Sequence, residues 1–128
     1  MKPLTHEWVE KAEGDFASAQ RELRARKSPN YDSACFHAQQ CVEKYLKARL
    51  QEADIPFGKT HDLIVLLDLV ISVEPLWDPL RPQLRTLHAF AVEFRYPGQS
   101  ADKEVAREAV KICKEVRRIM HMGLGMVS

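Results

Sequence analysis

Tyr31-Asp-Ser-Ala-Cys-Phe-His-Ala-Gln-Gln-Cys-Val-Glu-Lys-Tyr-Leu-Lys-Ala48, running on to Thr60-His61-Asp62-Leu63, is the stretch that decides the fold. Ala34, Ala38, Cys41, Tyr45 and Ala48 step by four, three, four and three, which keeps them on one face of an α-helix. Phe36, Val42 and Leu46 widen that face, so the helix is expected to be buried over more than half its circumference. The small residues along the stripe let a neighbouring helix come close. Gln40, Glu43, Lys44 and Lys47 make the polar edge, with Glu43 and Lys47 spaced as an i,i+4 ion pair. A helix this broadly apolar belongs in the middle of a bundle, and the rest of the chain must cover it.

The flanking segments supply the covers. Residues 5–27 read as a first helix with Thr5 as N-cap and Trp8, Ala12, Phe16, Ala19 and Leu23 as its stripe. Its end is crowded with Arg21, Arg24, Arg26 and Lys27, which suit a helix C-terminus and could also contact phosphate. Ser28-Pro29-Asn30 breaks the pattern. The central helix should end near 52–54, and Thr60 can cap a short helix over 61–72 whose Leu63, Leu66, Leu67 and Val70 face inward. Pro75, Pro79 and Pro82 place the start of a fourth helix between Pro79 and Pro82, since proline fits a helix's first turn but not its interior. Leu84, Leu87, Ala91 and Phe94 are its inner stripe, and Pro97-Gly98 ends it. Ser100 or Asp102 can cap the last helix, on Val105, Ala109, Ile112, Val116 and Ile119, with Gly123 and Gly125 marking a fraying tail. No segment alternates with period two. The expectation is an all-α, four- to five-helix up-and-down antiparallel bundle, one domain over residues 1–128 with an ordered core at about 5–121.

Composition bounds the rest. A length of 128 residues suits one core. Lys and Arg number 19 against 18 Asp and Glu, so any affinity for nucleic acid must come from local patches. Three cysteines without framework spacing, no signal-like leader and no span long enough for a bilayer lead us to expect a cytoplasmic protein with free thiols and no membrane partner.

Tyr31-x-x-Ala34-x-Phe36-x-x-Gln39-Gln40-x-x-Glu43-Lys44-x-Leu46-Lys47-Ala48 followed by Thr60-His61-Asp62-Leu63 resembles the central signature of the HEPN domain. Arg95-Tyr96-Pro97 downstream and Trp8, Ala12 and Asp15 upstream resemble it too, in the same order. The resemblance implies a small all-helical domain, often encoded beside a minimal nucleotidyltransferase. Several such domains act as metal-independent ribonucleases in toxin–antitoxin or defence systems. It further implies a homodimer or higher homo-oligomer, nucleotide or RNA as ligand, and no cofactor.

The ribonucleases of that family resemble one another in an arginine followed, after four to six residues, by a histidine. Histidine can move the 2′-hydroxyl proton near neutral pH, and arginine can stabilise the charged transition state. Arg95 and Tyr96 stand at the expected place, but no histidine follows them at that distance. Arg81 and His88 fit the spacing with six residues between them, and His61 is a further acid–base candidate. Glu43, Lys44, Lys47 and Asp62 are the candidate ligand-binding groups; for Asp62 a helix-capping role competes. Gly58-Lys59-Thr60 is no phosphate loop, because Ala53 stands where a glycine is required. His37 and Cys41 sit one turn apart as two metal ligands could, but no second pair completes a site, so no metal is expected. Lys103, Arg107, Lys111, Lys114 and Arg118 form a basic face on the last helix, with Glu104, Glu108 and Glu115 each three residues before a cation. The expected function is a HEPN-like module that binds nucleotide, RNA or a partner nucleotidyltransferase. A metal-independent ribonuclease and a purely structural helical oligomer are the alternatives.

Overall fold

In the computed structural model, which describes residues 1–126, the central segment forms α2, Tyr31–Glu52. Asn30 opens it by accepting from the Ser33 amide at 2.9 Å, which satisfies one of the helix's orphan donors. Twelve of its 22 residues are buried, so helix formation here is driven by packing rather than propensity. Fully burying side chains such as Leu46 and Leu50 is worth about 1.5–3 kcal/mol each. Phe36 is the exception to the expected stripe. It stands one turn before Gln40, on the polar edge, and is 43% exposed.

α1 spans Pro3–Arg24 and α2 lies along it. α3 is Leu63–Val70, α4 is Arg81–Glu93 and α5 is Lys103–Gly123, and α2 touches all four other α-helices. Among the described residues there is no strand, and no helix is long and apolar enough to cross a membrane. α1, α2, α4 and α5 alternate up and down. After α2 the chain doubles back along it, since the His61 carbonyl meets Gln39, and then climbs again until Glu74 meets Arg49. The short α3 therefore runs in the same sense as α2.

Several boundaries differ from the sequence expectation for local reasons. Thr5 lies inside α1, which starts at Pro3 because proline suits the first helical position. Its hydroxyl instead donates to Glu52 Oε1 at 2.9 Å, the same oxygen that takes the Lys2 amide at 2.9 Å, pinning the start of α1 to the end of α2. α1 stops at Arg24, before Arg26 and Lys27, and Ser28 turns the chain at φ +47. Asp62 caps α3, accepting from the amides of Ile64 and Val65, while Thr60 accepts from the Asp62 amide. A 3₁₀ turn over Pro75–Leu80, not foreseen, buries Trp77 beneath the end of α5. Asp102 caps α5 by accepting from Val105, as one of the two candidates. Gly123 is still helical, and Leu124 and Met126 pack back on the core instead of fraying. The expected tail's last residues, 127 and 128, lie outside the described residues.

Candidate functional site

Three polar clusters run through this bundle, all built on α2. In the first, Glu43 is buried and accepts from Gln39 Nε2 at 3.3 Å, Lys47 Nζ at 3.2 Å and His61 Nδ1 at 3.1 Å. Gln39 also donates to the His61 carbonyl at 3.2 Å, so one amide orients both Glu43 and the loop before α3. The Lys47 ammonium lies 5.4 Å from the Trp8 ring centre and 5.9 Å from that of Phe57, where ring faces help carry its charge. His61 itself is open to solvent. A buried carboxylate holding one imidazole nitrogen while the other faces water is an arrangement capable of proton transfer. Asp62, beside it, is engaged at the α3 N-terminus.

In the second cluster Asp15 of α1, 8% exposed, takes Lys44 Nζ at 2.5 Å and His37 Nδ1 at 2.7 Å. His37 thus turns to a carboxylate on another helix and away from any pairing with Cys41. Among the described residues no group of three or more His, Cys, Asp or Glu gathers as metal ligands.

The third cluster was not anticipated. Glu13 receives Arg117 through Nε at 2.6 Å and Nη2 at 2.5 Å, and the Tyr45 hydroxyl at 2.6 Å. Since Tyr45 has one proton and donates it to Glu13, its oxygen accepts from His121 Nε2 at 2.5 Å. That assignment fixes the tautomer and leaves the buried His121 Nδ1 without a partner. The Arg117 hydrogen bond holds Glu13 below the usual carboxylate range, outweighing partial burial. Burial pushes Tyr45 well above an ordinary phenol, and burial with the nearby Arg117 charge pushes His121 down. The legible signal was Tyr45 itself: a tyrosine on the apolar stripe of a buried helix needs a hydroxyl partner.

On α4 the candidate residues are set apart. Arg81 opens the helix and is held by Asp68 at 2.8 Å and Asp78 at 2.8 Å. Those hydrogen bonds raise its already high pKa and turn its guanidinium toward the carboxylates. His88 follows two turns on, a rise of roughly 10 Å along the axis, with its Nδ1 buried and unpartnered. Arg95 and Tyr96 stand just past the helix end. Tyr96 is 62% exposed, and the Arg95 side chain makes no ion pair among the described residues. Neither has a packing duty that accounts for it.

A five-helix bundle with a charged seam buried along its middle helix defines a class of small all-helical domains. The HEPN domain model matches residues 5–122, so this chain belongs to the HEPN-domain family. The crystal structure of ST0689, an archaeal HEPN homologue, is similar to it at a TM-score of 0.68 and 22% identity, covering 95% of this chain and 98% of that one. At that identity the likeness is one of fold. No curated protein matches the sequence.

Proposed function

We propose that this HEPN-domain chain works by binding rather than by cutting: it engages nucleotide or RNA phosphate near Arg95 and Tyr96 and pairs with a minimal nucleotidyltransferase in a toxin–antitoxin-like unit, as a homodimer or higher homo-oligomer. The observation that carries this reading is the state of two arginines, Arg81 at the start of α4 and Arg95 just past its end. Arg81, half of the one Arg–His spacing match there, is neutralised by Asp68 and Asp78. Arg95 is free, but the next histidine after it is His121, buried at the far end of α5. An unpaired guanidinium beside an exposed phenol suits recognition of phosphate and base.

The test is incubation of purified protein with RNA, with and without EDTA, beside an Arg95→Ala variant, together with co-expression with a minimal nucleotidyltransferase. Intact RNA and a stable complex with that partner are expected. A second reading, a metal-independent ribonuclease, draws on His61 held by Glu43. Cleavage that survives EDTA and is lost in both Arg95→Ala and His61→Ala would replace the first reading with this one.

A further inference from the structure

The two basic runs of the sequence, at the end of α1 and the start of α5, come together at one end of the bundle. They enclose a cleft of about 520 Å³ lined by Leu23, Arg24, Arg26, Tyr31, Lys103 and Arg107 with Ala25 and Pro29. No acidic residue lines it. Through Arg24 and Ala25 it opens into a hollow bordered by Gln20 and Arg21, and through Pro29 and Tyr31 into one bordered by Asp32 and Ser100. The three adjoining hollows together form a groove region with five cations and one carboxylate. That carboxylate, Asp32, is already engaged by the Ala101 amide at 2.6 Å.

The cations are uncommitted. Arg24, Arg26 and Lys103 are exposed and make no ion pair among the described residues, and Arg21 donates only to the neutral Ser18 hydroxyl at 3.1 Å. Arg107 pairs with Glu104 at 3.1 Å in full solvent, a contact easily exchanged for a stronger anion. The other two i,i+3 pairs expected on α5 do not form; Glu115 instead accepts from Gln83. In a chain whose charges nearly cancel, gathering these like charges raises their mutual repulsion, which an anion in the groove would relieve. The starts of α2 and α5 border the groove and add partial positive charge, which the C-terminus of α1, ending in the same cleft, offsets in part. Tyr31, packed partly against the core, is the one aromatic residue among the cleft's lining cations.

We infer that this groove seats the phosphodiester backbone of a single-stranded nucleic acid, with one base stacked on Tyr31. The inference rests on the binding reading above and gives the strand its own seat on α1, α2 and α5. Sequence-tolerant binding of this kind combines a basic track with an aromatic platform.

The experiment is fluorescence anisotropy of labelled oligo(U) and oligo(dT) against the full chain over a series of salt concentrations. The variants are Arg24→Gln/Arg26→Gln, Tyr31→Leu, Arg95→Ala and, as an exposed cation outside the groove, Arg85→Gln. Helicity and melting of each variant are checked by circular dichroism. Binding should weaken roughly tenfold or more in the double variant, and its log–log salt slope should fall by about 1.4, since each lost phosphate contact removes about 0.7. Tyr31→Leu should cost about fivefold or more, and Arg85→Gln should bind as the parent does. Equal affinity for both oligomers supports backbone recognition, and tighter oligo(U) binding supports it with a 2′-hydroxyl contact added. Binding lost in Arg95→Ala but kept in the double variant overturns the groove and leaves the proposed function standing. No binding by the parent chain also overturns the groove, and the proposed function then rests on its nucleotidyltransferase partner.

Discussion

The Glu43–Lys47 pair offers a sharp energetic test of the buried seam. Their side chains are 3% and 5% exposed and 3.2 Å apart. Glu43→Leu would leave the Lys47 ammonium buried with only the ring faces of Trp8 and Phe57 as partners. Removing one member of a buried pair costs about 3–5 kcal/mol, because the other keeps its desolvation penalty without its counter-charge. For a domain of this size that is a fall in Tm of roughly 10–20 °C. Lys47→Met should cost less, since Glu43 keeps Gln39 and can keep His61. The double variant Glu43→Leu/Lys47→Met should recover most of the loss, as replacing a whole buried pair with apolar groups is often neutral or stabilising. Urea unfolding followed by circular dichroism, at pH 7 and moderate salt, gives the cycle. A Glu43→Leu loss below about 1 kcal/mol, or a double variant as weak as the sum of the singles, would refute the reasoning, since such values belong to solvated pairs.

The remaining predictions concern the other interior groups. Acid should destabilise the protein in two stages: His121, with its folded pKa lowered, withdraws stability as pH falls below about 6.5, where the unfolded chain protonates first. Glu13, also lowered, withdraws more below about 4.5, and thermal melts of His121→Gln should be flatter than the parent between pH 7 and 5. Gly123→Ala should lower stability by about 1–3 kcal/mol despite alanine's better helix propensity, because a Cβ there would sit 2.5 Å from Trp77 Cζ2; an unchanged urea midpoint would show that Trp77 yields freely. The cysteines should be inert to Ellman's reagent at pH 8 until the protein unfolds, for all three are buried and burial pushes the Cys35 thiol up to about 12 and Cys41 well up too.

Helix number, order and the central place of α2 were legible because they depend on apolar periodicity, which local sequence carries whole. The caps were legible only as sets of candidates. Ser100 and Asp102, or Thr60 and Asp62, satisfy the same rule, and the backbone turn before each helix decides between them. Trp77 could not be placed from its own stretch: the prolines around it mark a break, and what fills the break is set by Gly123, dozens of residues away. The Glu13 cluster failed for a related reason. Its members come from α1, α2 and α5, and a glutamate between Ala12 and Gly14 of α1 looks like any solvated charge until α5 is laid against it.

The same long-range pairing explains why the protein's near-neutral charge conceals a polarised surface. Acids are drawn into the joints: Glu13 onto Arg117, Asp15 onto Lys44, Glu43 onto Lys47, Glu74 onto Arg49, and Asp68 and Asp78 onto Arg81. Each of these ties one segment to another, or steadies a buried turn of helix, and so belongs to the fold. None lies at the end where α1 stops and α5 begins. There Arg24, Arg26 and Lys103 make no ion pair, and the charge count of the whole chain balances through exposed acids elsewhere, Glu7, Glu10, Glu93 and Glu108 among them. A net charge near zero therefore excludes a uniformly basic surface and leaves a local one intact. In this chain the excess sits where two helix N-termini and a tyrosine ring share one cleft, which is why the oligonucleotide titration should respond to those cations and not to Arg85.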